Sequence, residues 1–183
     1  MPNASVLLGR ARFELPSDCE SVTLGVAFLD LSRIPEWSSS EQDEAVAGFL
    51  QAFYALVASR LAPAGGRVVK LMGDAGLVVF PKECAERVVL ALAVLIGEAR
   101  DCAREAGLDA YLNANVHVGP VLAGSFGVPG EARFDVIGKT VNIAARLGRR
   151  GLTLSPQAFR CLSPEGREQF EKISPPITYR LRV

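Results

Sequence analysis

Asp135, Asn142 and Arg146 are polar groups set into an otherwise apolar strand–turn–helix pattern over residues 133–146. Asp135 lies in a short β-type run, Gly138 breaks that run, and Thr140 to Arg146 reads as the opening of a helix. On that helix Asn142 and Arg146 are i and i+4, so an amide and a guanidinium project from one face about one turn apart. Beside a strand-end carboxylate they suit a ligand with a hydrogen-bonding ring and an anionic group. Burying such groups merely to fill a core is costly. Two further carboxylates fall at strand boundaries: Asp30 ends an apolar run and Asp74 sits in a Gly-Asp turn. If they converge, they suit Mg²⁺, which takes one or two carboxylates together with waters and substrate phosphates. Each also has a plain structural reading, Asp74 as a turn residue and Asp30 as a cap.

The elements that position these groups are legible from patterning. Residues 22–30 are a buried strand. A helix capped among Ser38 to Ser40 runs through Phe49, Phe53, Val57 and Leu61 and is ended by Pro63 and Gly65-Gly66. Residues 67–70 and 75–80 form a hairpin across Gly73-Asp74. A long amphipathic helix over 83–106 stops at Gly107. Strands follow at 111–123 and 134–137, then a helix over 139–149 and a short strand at 151–154. A helix opening at Ser155-Pro156 and a last strand over 177–183 complete the chain. The order predicts an α+β protein with a ferredoxin-like βαββαβ core and additional C-terminal strands and helices. Residues 1–20 read as an arm, or as a linker to a regulatory domain outside the sequence, and 21–183 as one domain.

The chain has 183 residues, enough for one domain with a sizeable core. Twenty basic and twenty acidic residues cancel, so bulk charge makes no case for nucleic acid or a membrane surface. Cys19, Cys84, Cys102 and Cys161 form no CxxC pair and read as reduced thiols. No signal pattern stands at the start, and no apolar run reaches the roughly 18 residues of a membrane span. A cytoplasmic location is expected. His117, the one histidine, lies in an apolar strand and reads as a packed core residue.

Four stretches, in order, resemble successive blocks of the class III nucleotidyl (adenylate/guanylate) cyclases. They are Phe28-Leu29-Asp30-Leu31-Ser32, Val69-Lys70-Leu71-Met72-Gly73-Asp74, residues 116–124 from Val116 to Gly124, and residues 134–142 from Phe134 to Asn142. The resemblance implies a catalytic domain that converts ATP to 3′,5′-cyclic AMP and pyrophosphate. It implies two divalent cations, Mg²⁺ or Mn²⁺, held by Asp30, Asp74 and the Leu31 carbonyl. Lys70 and Asp135 would read adenine, Asn142 would orient the ribose, and Arg146 would stabilise charge on the phosphorus oxygens. It further implies a head-to-tail homodimer, with the metal-binding and base-reading residues facing Asn142 and Arg146 across the subunit boundary.

The family's Gly-Phe-Thr-like phosphate cradle is replaced by Arg33-Ile34-Pro35. Proline brings no N–H, while Arg33 reads either as a phosphate-binding guanidinium or as a solvated loop residue. Lys172 is the nearest candidate for the family's phosphate-binding lysine in the loop before the last strand, but its surroundings lack a clear match and it reads better as a surface lysine. The altered cradle keeps open a weak or inactive homologue that binds nucleotide, and the base pocket keeps open a cyclase for another base.

Overall fold

The computed structural model describes residues 6–8, 11–13, 19–39, 41–128, 130–148 and 150–182. Within the expected arm, β1 (Val6–Leu8) and β2 (Ala11–Phe13) pair as a separate antiparallel hairpin. The main sheet contains β3 (Glu20–Leu31), β4 (Arg67–Met72), β5 (Ala75–Pro81), β6 (Leu112–Phe126), β7 (Arg133–Ile137), β8 (Leu152–Leu154), β9 (Phe170–Ile173) and β10 (Thr178–Leu181). Its order is β4-β5-β3-β6-β8-β10-β9, with β7 paired to the far end of β6. The helices are α1 (Ile34–Ser38), α2 (Asp43–Ala64), α3 (Ala85–Glu105), α4 (Lys139–Arg146), α5 (Pro156–Phe159) and α6 (Pro164–Glu168). The segment from β3 to β6 is the expected βαββαβ core, β3 lying antiparallel between β5 and β6.

Side-chain alternation divides the sheet into two faces with different roles. Ala27, Leu29 and Leu31 of β3 pack with Phe53, Val57 and Leu61 of α2 and with Val88, Leu92 and Leu95 of α3. Leu24 and Val26 point the other way, into a smaller cluster with Leu77, Val79, Val121 and Ala144 of α4. Asp30 shares the second face, so the helix pair covers one side of the sheet and leaves the other for the site. Gly25 has a packing reason: a Cβ there would fall 2.0 Å from the Phe80 ring of the neighbouring strand.

Several boundaries differ from the sequence expectation. The first long helix is not capped among Ser38 to Ser39, and Ser40 lies outside the described residues. Instead Pro35 sits at the start of the short α1, where its fixed φ favours a first turn. The long α2 begins at Asp43, with Gln42 preceding it and no side-chain cap. Acidic Asp43 and Glu44 in its first turn oppose the helix dipole instead. Pro63 lies inside the last turn, and Gly65, at φ 97°, ends the helix in the left-handed conformation.

The 22-residue α2 is long and apolar enough, by length and composition, to cross a membrane, contrary to the expectation that no such stretch exists. Phe49, Phe53, Val57 and Leu61 on its inner face are buried in the core. Helix α4 ends at Arg146, earlier than expected. Near the C-terminus, α6 and β9 add a helix and an edge strand to the expected set.

Candidate active site

A β-bulge decides where Lys70 points. Val68 pairs with Val78 on the helix-covered face, and strict alternation would send Lys70 the same way. The register instead shifts between Val68 and Lys70, so that Lys70 pairs with Leu77 on the second face. There its Nζ donates to Asp135 Oδ2 at 2.6 Å. The other carboxylate oxygen, Oδ1, accepts the Val136 N–H at 2.8 Å, which fixes the carboxylate plane. Arg67, one turn of the pleat away on β4, lays its guanidinium over the Phe134 ring at 4.4 Å from the centroid. Burial pushes the pKa of that guanidinium down from its usual value, and the stacking clamps β7 against β4.

The ends of β3 and of the β4–β5 hairpin meet at the two expected metal residues. Leu31 N–H donates to the Asp74 carbonyl at 2.9 Å, and Asp30 pairs in register with Ala75. Gly73 adopts φ 62° in the two-residue turn. Its carbonyl accepts the Tyr54 hydroxyl at 2.7 Å, so α2 steadies the turn that carries Asp74. Sequence reasoning missed Tyr54, which reads in sequence as one more residue of an apolar helix. On the other side Asp30 pairs in register with Asn113 of β6, which is buried.

Asn142 and Arg146 are exposed on α4 and line one cavity of about 500 Å³, with Lys139 from the same helix. His117 and Ser155 also line it, 2.8 Å apart at Nδ1 and Oγ. The Ser155 Oγ accepts the Ala158 N–H and caps α5. Asn115 ties the end of α4 to the sheet by donating from Nδ2 to the Gly148 carbonyl at 2.9 Å. Asp30, Lys70, Asp74 and Asp135 do not line this cavity. One chain therefore brings Lys70 to Asp135, Asp74 to the end of β3, and Asn142 to Arg146, as separate groups.

The two expected phosphate contacts lie elsewhere. Arg33 stands at φ 64°, a left-handed conformation that suits the glycine it replaces. Its guanidinium bridges Asp109 at 2.5 Å, with both side chains largely exposed, and it lines a different cavity with Arg100 and Arg150. Lys172 is not in a loop before the last strand; it is exposed on β9, paired in register with Tyr179 of β10. The loop that approaches Asn142 and Arg146 contributes Pro176 and Ile177 instead. Trp37 fills a corner of the core, packed edge-on against Phe49 with ring centroids 5.6 Å apart.

Residues 17–175 match the family of the adenylate and guanylate cyclase catalytic domain. The chain belongs to that family. It is 32% identical to an uncharacterized protein of Mycobacterium tuberculosis (strain ATCC 25618 / H37Rv) and to one of Mycobacterium bovis, each match covering 80% of this chain. The chain spans only 28% of the length of those relatives. Its fold is that of solved cyclase domains. It superposes on the adenylyl cyclase CyaB from P. aeruginosa with a TM-score of 0.80 at 17% identity, covering 91% of this chain and 96% of that one. For the guanylyl cyclase Cya2 the TM-score is 0.79 at 18% identity, covering 90% and 93%. The chain is thus a class III nucleotidyl cyclase domain, with structural neighbours of both base specificities.

The family's divalent cations fit what this cyclase domain presents. Among the described residues no three His, Cys, Asp or Glu side chains form a metal cluster, and Mg²⁺ does not require one. Asp30 and Asp74 offer oxygen only. The buried Asn113 Oδ1 opposite Asp30 has no hydrogen-bond partner, an acceptor consistent with a cation or a cation-bound water.

His117 gives this domain a measurable pH dependence. Burial lowers its pKa below the usual 6.5, so it is neutral in the folded chain at neutral pH. As pH falls through 6.5 the unfolded chain takes up the proton first, and folding stability declines until the lowered folded value is passed. Thermal melts of the wild type are therefore expected to hold steady between pH 7 and 8 and to fall below about 6.5. His117→Gln should flatten that part of the profile; an unchanged slope would assign it to other groups.

Proposed function

We propose that this cyclase domain is an adenylate cyclase, converting ATP to 3′,5′-cyclic AMP and pyrophosphate in a head-to-tail homodimer. The Lys70–Asp135 pair carries the reading. An ammonium donates to a ring nitrogen acceptor of adenine, while a carboxylate accepts from its exocyclic amine. The bulge at Val69 and the Arg67–Phe134 stack hold this donor and acceptor side by side before any base arrives.

The reaction is an in-line displacement: the ribose 3′-hydroxyl attacks the α-phosphorus and pyrophosphate leaves. Asn142 orients the ribose, and Arg146 places fixed positive charge where negative charge grows on the phosphorus oxygens. Divalent cations, Mg²⁺ or Mn²⁺, would be held by Asp30 and Asp74 with the Leu31 carbonyl, and supply charge that acidifies the hydroxyl and neutralises the triphosphate. The separation of Asn142 and Arg146 from the two aspartates within one chain supports a site assembled from two chains. The free state of Cys19, Cys84, Cys102 and Cys161 supports a cytoplasmic setting.

The test of base reading is the double variant Lys70→Glu with Asp135→Cys. It is expected to move the ATP-to-GTP ratio of kcat/KM by about 10- to 100-fold toward GTP, the scale of a net hydrogen bond to a charged group. An unchanged ratio would remove both residues from base recognition. Pro35, without an N–H, and Arg33, committed to Asp109, favour a second reading as a low-turnover homologue. Assaying each of the four nucleotides with Mn²⁺, products identified by mass, separates the two. Cyclic AMP formed at multiple turnovers supports the enzyme; nucleotide binding without product supports the homologue.

A further inference from the structure

We propose that Asn113 Oδ1 is a third side-chain oxygen for the divalent cation held at Asp30 and Asp74, an inference that rests on the metal role of those two aspartates. Antiparallel β3–β6 pairing sets Asn113 directly opposite Asp30, and such partners share a face with their Cβ atoms about 5 Å apart. The neighbours of Asn113 on β6, Leu112 and Ala114, belong to the helix-covered core, so Asn113 faces the site side with Asp30. Pairing is pinned just beyond it. Ser32 and Tyr111 exchange bonds through the Ser32 N–H and hydroxyl and the Tyr111 N–H and carbonyl. The register therefore holds Asn113 opposite Asp30.

The amide is also expensive where it stands. Asn113 is 5% exposed, yet its Oδ1 has no hydrogen-bond partner. A buried acceptor left unpaired bears its full desolvation cost, and asparagine is a poor strand former beside valine or isoleucine. An apolar residue would serve packing better. What the oxygen suits is a hard cation or a water bound to one, since backbone and Asn or Gln carbonyls are ordinary ligands of such ions. A neutral oxygen adds a ligand without adding negative charge that would repel the substrate's triphosphate. Asn115, two residues on and on the same face, also leaves its Oδ1 unpaired, but it pairs in register with Phe28 rather than with a carboxylate, and its Nδ2 is committed to Gly148.

The experiment is Mn²⁺ binding to the full chain without nucleotide, followed by electron paramagnetic resonance of free Mn²⁺ and by thermal melts. Asn113→Ala is expected to weaken Mn²⁺ binding about 10-fold, the lower end of losses seen around metal sites. The melting temperature of its metal-free form should not fall, because an unpaired acceptor has been removed. A purely structural asparagine would behave oppositely, lowering the metal-free melting temperature and leaving Mn²⁺ affinity alone. Asn113→Asp keeps an oxygen of the same shape and covers a failure of the alanine variant to fold. It should bind Mn²⁺ at least as tightly as wild type, and weaker binding overturns the proposal. Asp30→Ala is measured in parallel. If it loses Mn²⁺ while Asn113→Ala binds like wild type, Asn113 is not a ligand and the aspartate reading stands. If Asp30→Ala binds like wild type, the aspartate reading fails and the proposal falls with it.

Discussion

Asp30→Ala and Asp74→Ala are each expected to lower cyclic nucleotide formation by about 10³-fold or more, at least the loss seen when one preorganised electrostatic contact is removed from a transition state. Asp30 ends β3 on the side of the sheet away from the α2–α3 core, and Asp74 stands in the turn between β4 and β5. Neither side chain is fully buried, so truncation opens no core cavity, and circular dichroism and melting should stay close to wild type. Asp74 is the sharper case. The backbone contact that places it, Leu31 N–H to the Asp74 carbonyl, survives the substitution because it uses no side-chain atom. The turn likewise keeps the Tyr54 hydroxyl on the Gly73 carbonyl. A loss of activity with the fold intact therefore isolates the carboxylate. Wild-type turnover by either variant, measured with Mn²⁺ and ATP, would remove that aspartate from the metal site.

The sequence made much of this arrangement legible because apolar periodicity and turn chemistry act locally. The run over 22–30, the Gly73-Asp74 hairpin and the strand–turn–helix from Asp135 to Arg146 are each set by a few neighbouring residues, and each stands where expected. What periodicity could not show was register. The bulge that turns Lys70 toward Asp135 is a property of the paired strands, invisible in β4 alone. The pairing of Asn113 with Asp30 spans 83 positions and likewise emerges only when the sheet forms. The C-terminal elements were missed for a different reason. Ser163-Pro164 is a readable helix start, confirmed by the Ser163 hydroxyl accepting the Gly166 N–H. The four-residue β9 that follows is an edge strand with exposed Glu171 and Lys172, too short and too polar for alternation to declare. The sequence therefore points to a loop at Lys172, where the chain forms a strand.

Mixing two inactive variants is expected to restore activity, and this is the strongest consequence of placing Asp30 and Arg146 in different groups. Asp30→Ala lacks the metal carboxylate and Arg146→Ala lacks the transition-state guanidinium, so each homodimer has two dead sites. In a head-to-tail heterodimer one site combines both lesions. The other combines the wild-type Asp30 of one chain with the wild-type Arg146 of its partner. With random exchange half the dimers are mixed and each has one working site, so an equimolar mixture should recover about one quarter of wild-type activity. The cavity at Arg146 excludes Asp30 and Asp74 within a chain, which is why recovery is expected at all. If the site lay within one chain, each variant would carry its own defect into every pairing and mixing would recover nothing. Recovery should also fall steeply on dilution, because the working site exists only while two chains are associated. An equimolar mixture that stays inactive, although sedimentation shows mixed dimers, would sink the two-chain site.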